Sequence, residues 1–195
     1  MTEKDVLKIF KQEKALLSGH FLLSSGLHSP HYMQCALLLQ KPWVAEKLCR
    51  ALKKKLGRQK IDVVVGPALG GVIVSYEMGR ALKTRSLFAE RVDGRLMLRR
   101  GFGLKKNEKA LVVEDVVTTG RSTNEVIKIV NENGAKAVVV ASIVDRSGGV
   151  TEFKEPLFSL LKVDIKTYKP EECPLCKEGK TPAVKPGSRT AKVSA

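Results

Sequence analysis

One segment of this chain constrains its fold more than any other: Leu111-Val112-Val113-Glu114-Asp115-Val116-Val117-Thr118-Thr119-Gly120-Arg121-Ser122-Thr123. A run of apolar residues, Ala110–Val113, delivers two adjacent carboxylates to its C-terminal end. A loop of small and hydroxylated residues follows, and helical sequence begins at once, from about Arg121 to Asn133, where Gly134 stops it. A continuous apolar strand, unlike an alternating one, is covered on both faces and belongs to a parallel sheet. Ligands of such sheets bind outside the carboxyl ends of the strands. A helix starting there offers free backbone N–H groups and the positive end of its dipole to an anion. Thr118, Thr119, Ser122 and Thr123 add hydroxyl donors. Glu114 and Asp115 do not suit a phosphate. They suit a neutral or positive neighbour, such as sugar hydroxyls or hydrated Mg²⁺.

The flanking sequence continues the alternation of strand and helix. Ile61–Val65 reads as a buried strand ended by Gly66-Pro67, and Gly70-Gly71 opens a helix to about Lys83. Ser86–Glu90 is a second strand and Ala137–Val144 a β-branched fourth, with a long loop or hairpin over residues 91–108. This order predicts an α/β fold, a central parallel sheet flanked by helices. Ahead of it, Thr2 and Asp5 form a capping box, and Val6, Ile9, Phe10 and Leu16/Leu17 mark the apolar face of a first helix ending at Ser18-Gly19. Residues 20–40 suggest short strands with turns at Gly26 and Pro30, and Pro42 opens a second helix that ends at Gly57. After Pro170 the chain becomes rich in Pro, Gly and Lys, an irregular tail.

Composition narrows the function classes. With 195 residues, 43% hydrophobic and 28% charged, the chain can bury a sizeable single core. No apolar run approaches the ~20 residues that cross a bilayer. MTEKDVLKIFKQEK lacks the apolar centre of a signal peptide, so a cytoplasmic protein with no membrane partner is expected. The formal charge of +15 attracts polyanions, yet it is dispersed, and the 5% of aromatic residues are not interleaved with it. Nucleic-acid binding is therefore not the expected main function. Neither a GxxxxGK[ST] loop nor a dinucleotide fingerprint occurs. Cys35 and Cys49 stand apart, and Cys173-Pro-Leu-Cys176 becomes a zinc site only if two more ligands appear, a second subunit being one source. His20, His28 and His31 cluster around Gly26 and read as surface or hydrogen-bonded side chains rather than a metal site.

The string from Leu111 to Thr123 is similar to the phosphoribosyl pyrophosphate signature of type I phosphoribosyltransferases: apolar strand, two acids, two apolar residues, then Thr-Thr-Gly-x-Ser/Thr. Within that superfamily the chain resembles orotate phosphoribosyltransferases, particularly the subgroup of thermophilic bacteria. The resemblance runs from about Leu17 to the tail. It includes GHFLLSSGLHSPHY (19–32), GPALGG (66–71), ERVDGRLMLRRGF (90–102), Asp145-Arg146, CPLC and KPGSR. It implies the type I phosphoribosyltransferase fold over residues 1–169, with a small N-terminal hood at about 1–40, and 170–195 as the tail.

The resemblance also implies roles. Glu114 and Asp115 would grip the ribose hydroxyls. Val116, Val117, Thr118, Thr119, Gly120, Arg121 and Ser122 would cradle the 5-phosphate. Leu69 and Gly70 would meet the pyrophosphate through their backbone, in a loop where the family often has a lysine. Thr118, Arg146, Ser25 and Tyr32 would contact orotate, whose carboxylate an arginine reads with two parallel hydrogen bonds. Without the resemblance, an ordinary ion pair of Arg146 with Asp145 is as good a reading. Ser24 stands where many relatives have a lysine. Between Glu90 and Gly103 there is no lysine or histidine, only Arg91, Arg95, Arg99 and Arg100. Arginine neutralises phosphate but is a poor proton donor. Asp115, Arg91 and Arg95 are the expected catalytic residues, Mg²⁺ the cofactor, carried mainly by phosphoribosyl pyrophosphate, and a homodimer with a shared arginine loop the expected assembly. The rivals are a phosphoribosyltransferase for a purine base and a nucleic-acid-binding regulator on the same fold.

Overall fold

The computed structural model describes residues 1–23, 25–151 and 153–186. Ser24, the end of KPGSR and the last part of the expected tail lie outside the described residues. The N-terminal region holds α1 (Glu3–Gln12), β1 (Leu16–Leu22), β2 (His28–Met33), α2 (Ala36–Leu39) and α3 (Pro42–Leu56). The central region holds β3 (Val63–Pro67), α4 (Gly70–Leu82), β4 (Arg85–Val92), β5 (Arg95–Leu98), β6 (Lys109–Val117), α5 (Arg121–Glu132), β7 (Lys136–Asp145) and β8 (Leu157–Lys162). A 3-10 turn at Pro170–Glu172 leads into α6 (Pro174–Glu178).

The capping box at Thr2 and Asp5 is present, but α1 stops at Gln12, well before Ser18. Lys14 adopts a left-handed φ of 53°, which an L-residue does not continue as a helix. Leu16 and Leu17 therefore belong to β1, which pairs antiparallel with β2 as a separate two-stranded hood. Neither α2 nor β8 is foreseen in the sequence reading.

The main sheet has the order β5-β4-β3-β6-β7-β8. All neighbours are parallel except β4 and β5, so the sheet is mixed rather than wholly parallel. The region read as a long loop is in part this antiparallel hairpin. Strand alternation sorts the core onto two faces. Val64, Leu111 and Val113 pack with α3 and α4, while Val63, Val65 and Val112 pack with α5. Helix α3 presents Val44, Ala45, Leu48, Cys49, Leu52 and Leu56 as one buried stripe at helical spacing. No helix among the described residues is long and apolar enough to cross a membrane.

Chain order decides where a ligand can sit. From β3 the chain moves outward to β4, then returns to the other side of β3 for β6, β7 and β8. The carboxyl ends of β3 and β6 thus flank the point at which strand order reverses, where the two exit loops part and open a crevice.

Candidate active site

At that crevice the loop after β3 presses on β6. A Cβ at Gly70 would lie 2.5 Å from Oδ2 of Asp115, so only glycine lets α4 begin there. Gly66 and Gly71 face each other: a Cβ at Gly66 would meet the Gly71 carbonyl oxygen at 2.5 Å. These two serve strand–helix packing, and Gly70 alone of the three borders the acidic pair. Leu69, at the tip of the loop, is 77% exposed.

Strand β6 does not end at Glu114-Asp115. It runs on to Val117, because Val116 and Val117 pair with Val144 and Asp145 of β7. The acids sit within the last turns of the pleat, held by their neighbours. Glu114 is buried and its Oε1 accepts from the Asp115 N–H at 3.3 Å; Asp115 Oδ1 accepts from the Val116 N–H at 2.9 Å. Burial, and then the Asp115 charge, push the Glu114 carboxyl well above the usual carboxylate range. Among the described residues no lysine or arginine forms a salt bridge with either acid. An acidic pair without a counter-cation suits hydroxyl donors or the water shell of a divalent ion.

Next to it, Glu114, Val116, Val117, Thr118, Thr119, Gly120, Arg121, Ser122 and Thr123 line one concavity. Gly120 has φ 71°, and a Cβ there would strike Phe153 at 2.8 Å. It is the N-cap of α5 and brings no capping side chain; the Arg121 N–H reaches the Thr119 hydroxyl only at 3.5 Å, so this helix start can turn its N–H groups to an anion. Thr118 and Thr119 are exposed and Ser122 half-buried, but Thr123 is buried, which makes it a poor member of the expected hydroxyl set. The Arg121 side chain turns away to Glu125, at 3.2 Å.

A third wall comes from β7 and the hood. The Arg146 N–H donates to the Val117 carbonyl at 2.8 Å, tying the β7 exit to the end of β6. Asp145 does not pair with Arg146; its Oδ1 accepts from the backbone and hydroxyl of Ser147, at 2.9 and 2.6 Å. Arg146 is half-buried and has no carboxylate partner among the described residues. Burial lowers its pKa, partly offset by Tyr32. Tyr32 senses the whole corner: burial and then Asp115 raise its phenol, and Arg146 opposes them. Cys35, unforeseen in the sequence, backs this corner. It is buried, its thiol pushed up by burial and then by Asp115 and Glu114, and its Sγ lies 4.0 Å from the Asp115 carbonyl. Ser25 is not brought to the site by any hydrogen bond among the described residues. It is exposed in the β1–β2 turn, where its hydroxyl accepts from the Leu27 N–H at 3.5 Å.

The arginines lie on the hairpin at the same carboxyl edge. Arg91 pairs with Glu125 of α5 at 3.1 Å and donates to the Gly94 carbonyl. Burial would raise Glu125, but Arg91 and then Arg121 outweigh it and lower its pKa. Arg99 and Arg100 share Glu90, at 3.9 and 2.9 Å. Arg95 is exposed and has no acidic partner among the described residues.

A mixed sheet whose strand order reverses at the β3–β6 crevice, a helix N-terminus opening there and a buried carboxylate pair beside it define a class that comparison with known proteins identifies. Residues 38–173 match the family model described as a phosphoribosyl transferase domain. An orotate phosphoribosyltransferase of Carboxydothermus hydrogenoformans is 57% identical over 95% of this chain and 97% of its own. One of Caldicellulosiruptor bescii is 56% identical over 97% of this chain and 99% of its own. The crystal structure of the orotate phosphoribosyltransferase from Aeropyrum pernix superimposes with a TM-score of 0.70 at 26% identity, covering 81% of this chain and 93% of that one. The chain belongs to the orotate phosphoribosyltransferase family, within the phosphoribosyl transferase domain family.

Proposed function

We propose that the protein transfers the phosphoribosyl group from phosphoribosyl pyrophosphate to N1 of orotate, giving orotidine 5′-phosphate and pyrophosphate in pyrimidine biosynthesis. The observation that carries the choice of base is Arg146. A half-buried guanidinium with no carboxylate partner among the described residues, close to Tyr32, which also feels Asp115, suits a planar base that brings a carboxylate. A purine without a carboxylate would leave that charge unpaired.

In this reading the α5 N-terminus and the Thr118–Ser122 loop hold the 5-phosphate, and Glu114 and Asp115 hold the ribose hydroxyls. The C1′–oxygen bond to pyrophosphate breaks as N1 of the base attacks, with positive charge on the sugar and negative charge growing on the leaving group. Asp115 faces the sugar side of that charge separation. Arg95, and Arg91 on release from Glu125, neutralise the pyrophosphate side. The orotate base is already anionic, so no strong base is required. Mg²⁺, when carried in with phosphoribosyl pyrophosphate, would add charge neutralisation on the leaving-group side, and Glu114 and Asp115 would meet its water shell. Leu69 and Gly70 border the pyrophosphate position through their backbone. A phosphorylated sugar does not cross a membrane unaided, so the reaction belongs in the cytoplasm.

The active unit is a homodimer. Leu69, Ile73 and Tyr76 recur at helical spacing along the start of α4 and are 77%, 41% and 65% exposed. This apolar strip begins in the pyrophosphate loop, so a second copy covering it would border the site.

The test is to mix the protein with Mg²⁺, phosphoribosyl pyrophosphate and orotate, hypoxanthine, adenine or uracil in turn, and follow pyrophosphate. Turnover with orotate is expected. Preference for any other base overturns the proposal. Salt-sensitive RNA or DNA binding without turnover would favour the regulator instead.

A further inference from the structure

Metal-ligating side chains converge where the tail meets the hood, away from the site above. His20 lies on β1, His28 opens β2, and Cys173 and Cys176 bracket the Cys-Pro-Leu-Cys turn. One ligand atom from each lies within 4.8 Å of all the others. His20, His28 and Cys173 are buried, and Cys176 is exposed. We propose that these residues bind one structural zinc ion that clamps the tail onto the hood.

The distances match that ion. Tetrahedral zinc, with bonds of about 2.3 Å to sulfur and about 2.1 Å to nitrogen, sets sulfur–nitrogen edges of about 3.6 Å. Cys173 Sγ and Cys176 Sγ lie 3.5 and 3.6 Å from His20 Nε2, and Cys176 Sγ lies 3.2 Å from His28 Nδ1. His20 Nε2 and His28 Nδ1 are 2.8 Å apart, so they open by about half an ångström around an ion. The ring orientation of His20 is also that of a ligand. Its Nδ1 lies 2.8 Å from the Thr181 carbonyl, to which it can only donate, and this leaves the Nε2 lone pair aimed into the cluster. Two thiolates and two imidazoles with no open position are the donor set of a closed, structural zinc site.

The tail needs such a clamp. Helix α6 has only five residues and buries none of them, too short and too exposed to hold itself. Apart from the cluster's side-chain bonds, the tail's hydrogen bonds to the hood among the described residues are backbone bridges of Val184 with His20 and Leu22, at 2.9 Å each; just ahead of the tail Tyr168 bridges to His28, at 2.8 and 2.9 Å. The clamp also grips β2, the strand that carries Tyr32 into the site. Both missing ligands of the CxxC pair thus come from the same chain, not from a second subunit. His31, the remaining histidine of the group, faces Ser18 at 3.3 Å and takes no part.

Full-length protein purified without added metal or a histidine tag should carry about one zinc per chain by atomic emission. Cys176→Ser, at an exposed position with little packing to lose, and His28→Asn should each cut that content at least tenfold. Cys49→Ala, remote from the cluster, should leave it unchanged. Cobalt exchanged into the wild type should show tetrahedral and thiolate charge-transfer bands that both ligand variants lack. Chelation under reducing conditions should lower the melting temperature by on the order of 10 °C, restored by Zn²⁺ and not by Mg²⁺. This last measurement uses the wild type, so it decides the matter even if a variant fails to fold. Metal-free wild type that takes up no zinc and gains no thermal stability from it overturns the proposal. So does full zinc content in Cys176→Ser.

Discussion

Arg146 and Glu114 each sit in a place that costs the free protein something, and each is expected to show it. Removing the Arg146 guanidinium should cost about 3 kcal/mol of orotate recognition, or roughly a hundredfold in kcat/KM for orotate. The KM for phosphoribosyl pyrophosphate should move little. Steady-state kinetics of Arg146→Ala with each substrate varied in turn checks this, and equal losses for both would remove Arg146 from the base pocket. Glu114 gives a prediction in pH. Its folded-state pKa is raised, first by burial and then by Asp115, so the folded protein keeps a proton that the unfolded chain releases. The associated stability is fully present below the unfolded carboxylate value and is lost as pH rises through the folded one. Glu114→Gln should therefore melt increasingly above the wild type as pH rises from ~4 to ~8, while turnover falls. A melting difference that does not change with pH would mean that Glu114 is not held in this way. At this scale the sequence was most legible where function is local. The loop proposed for the phosphate and the acid pair lie in one continuous string, and Arg146 follows its strand directly. Cys35 and Tyr32 reach the same corner only through the hood fold. No sequence signal marks Cys35, and the resemblance that named Tyr32 also named Ser25, which is exposed in the β1–β2 turn.

The elements meet most tightly where α4 begins against β6. Gly70→Ala would put a methyl 2.5 Å from the Asp115 carboxylate, and backbone or carboxylate must shift to admit it. The expected result is at least a tenfold fall in kcat/KM, as for other small misplacements at a reacting centre. Leu52→Ala, fully buried in α3, should do the opposite. It should cost about 2–5 kcal/mol of stability and leave kcat nearly unchanged. Urea melts and kinetics on both variants separate the two kinds of damage, and unaltered activity in Gly70→Ala would mean that the crevice tolerates a wider loop. The buried strands and amphipathic helices of the main sheet were readable because their periodicity is long and regular. The failures have physical causes. Leu16 and Leu17 continue the apolar period of α1, and only the left-handed Lys14 separates them from it. Strand β8 is short and becomes a strand by pairing with β7, a partner far enough away that local propensity does not announce it.

At the scale of the whole molecule, the proposed homodimer makes a prediction about which chain's site the arginine hairpin serves. Within one chain Arg91 is held by Glu125, but a partly exposed ion pair contributes only about 0.2–1 kcal/mol and does not lock the hairpin. Arg95 is exposed and has no acidic partner among the described residues, so in the proposed dimer it would be available to a neighbouring subunit. One variant, Asp115→Asn, removes the carboxylate proposed for the sugar; another, Arg91→Ala with Arg95→Ala, removes the two hairpin guanidiniums. Each should be nearly inactive alone. If the hairpin is shared across the dimer, a mixed dimer gathers both defects in one site and leaves the other intact. Random exchange at equal amounts makes about half of the dimers mixed, so roughly a quarter of all sites regain the full set of residues. If each hairpin serves its own chain, every site in a mixed dimer keeps one defect and nothing is recovered. Mild unfolding of the mixed variants, joint refolding and assay should restore activity toward about a quarter of the wild-type level. Exchange confirmed by a mass-tagged subunit, with no rise in activity, would assign the hairpin to its own chain.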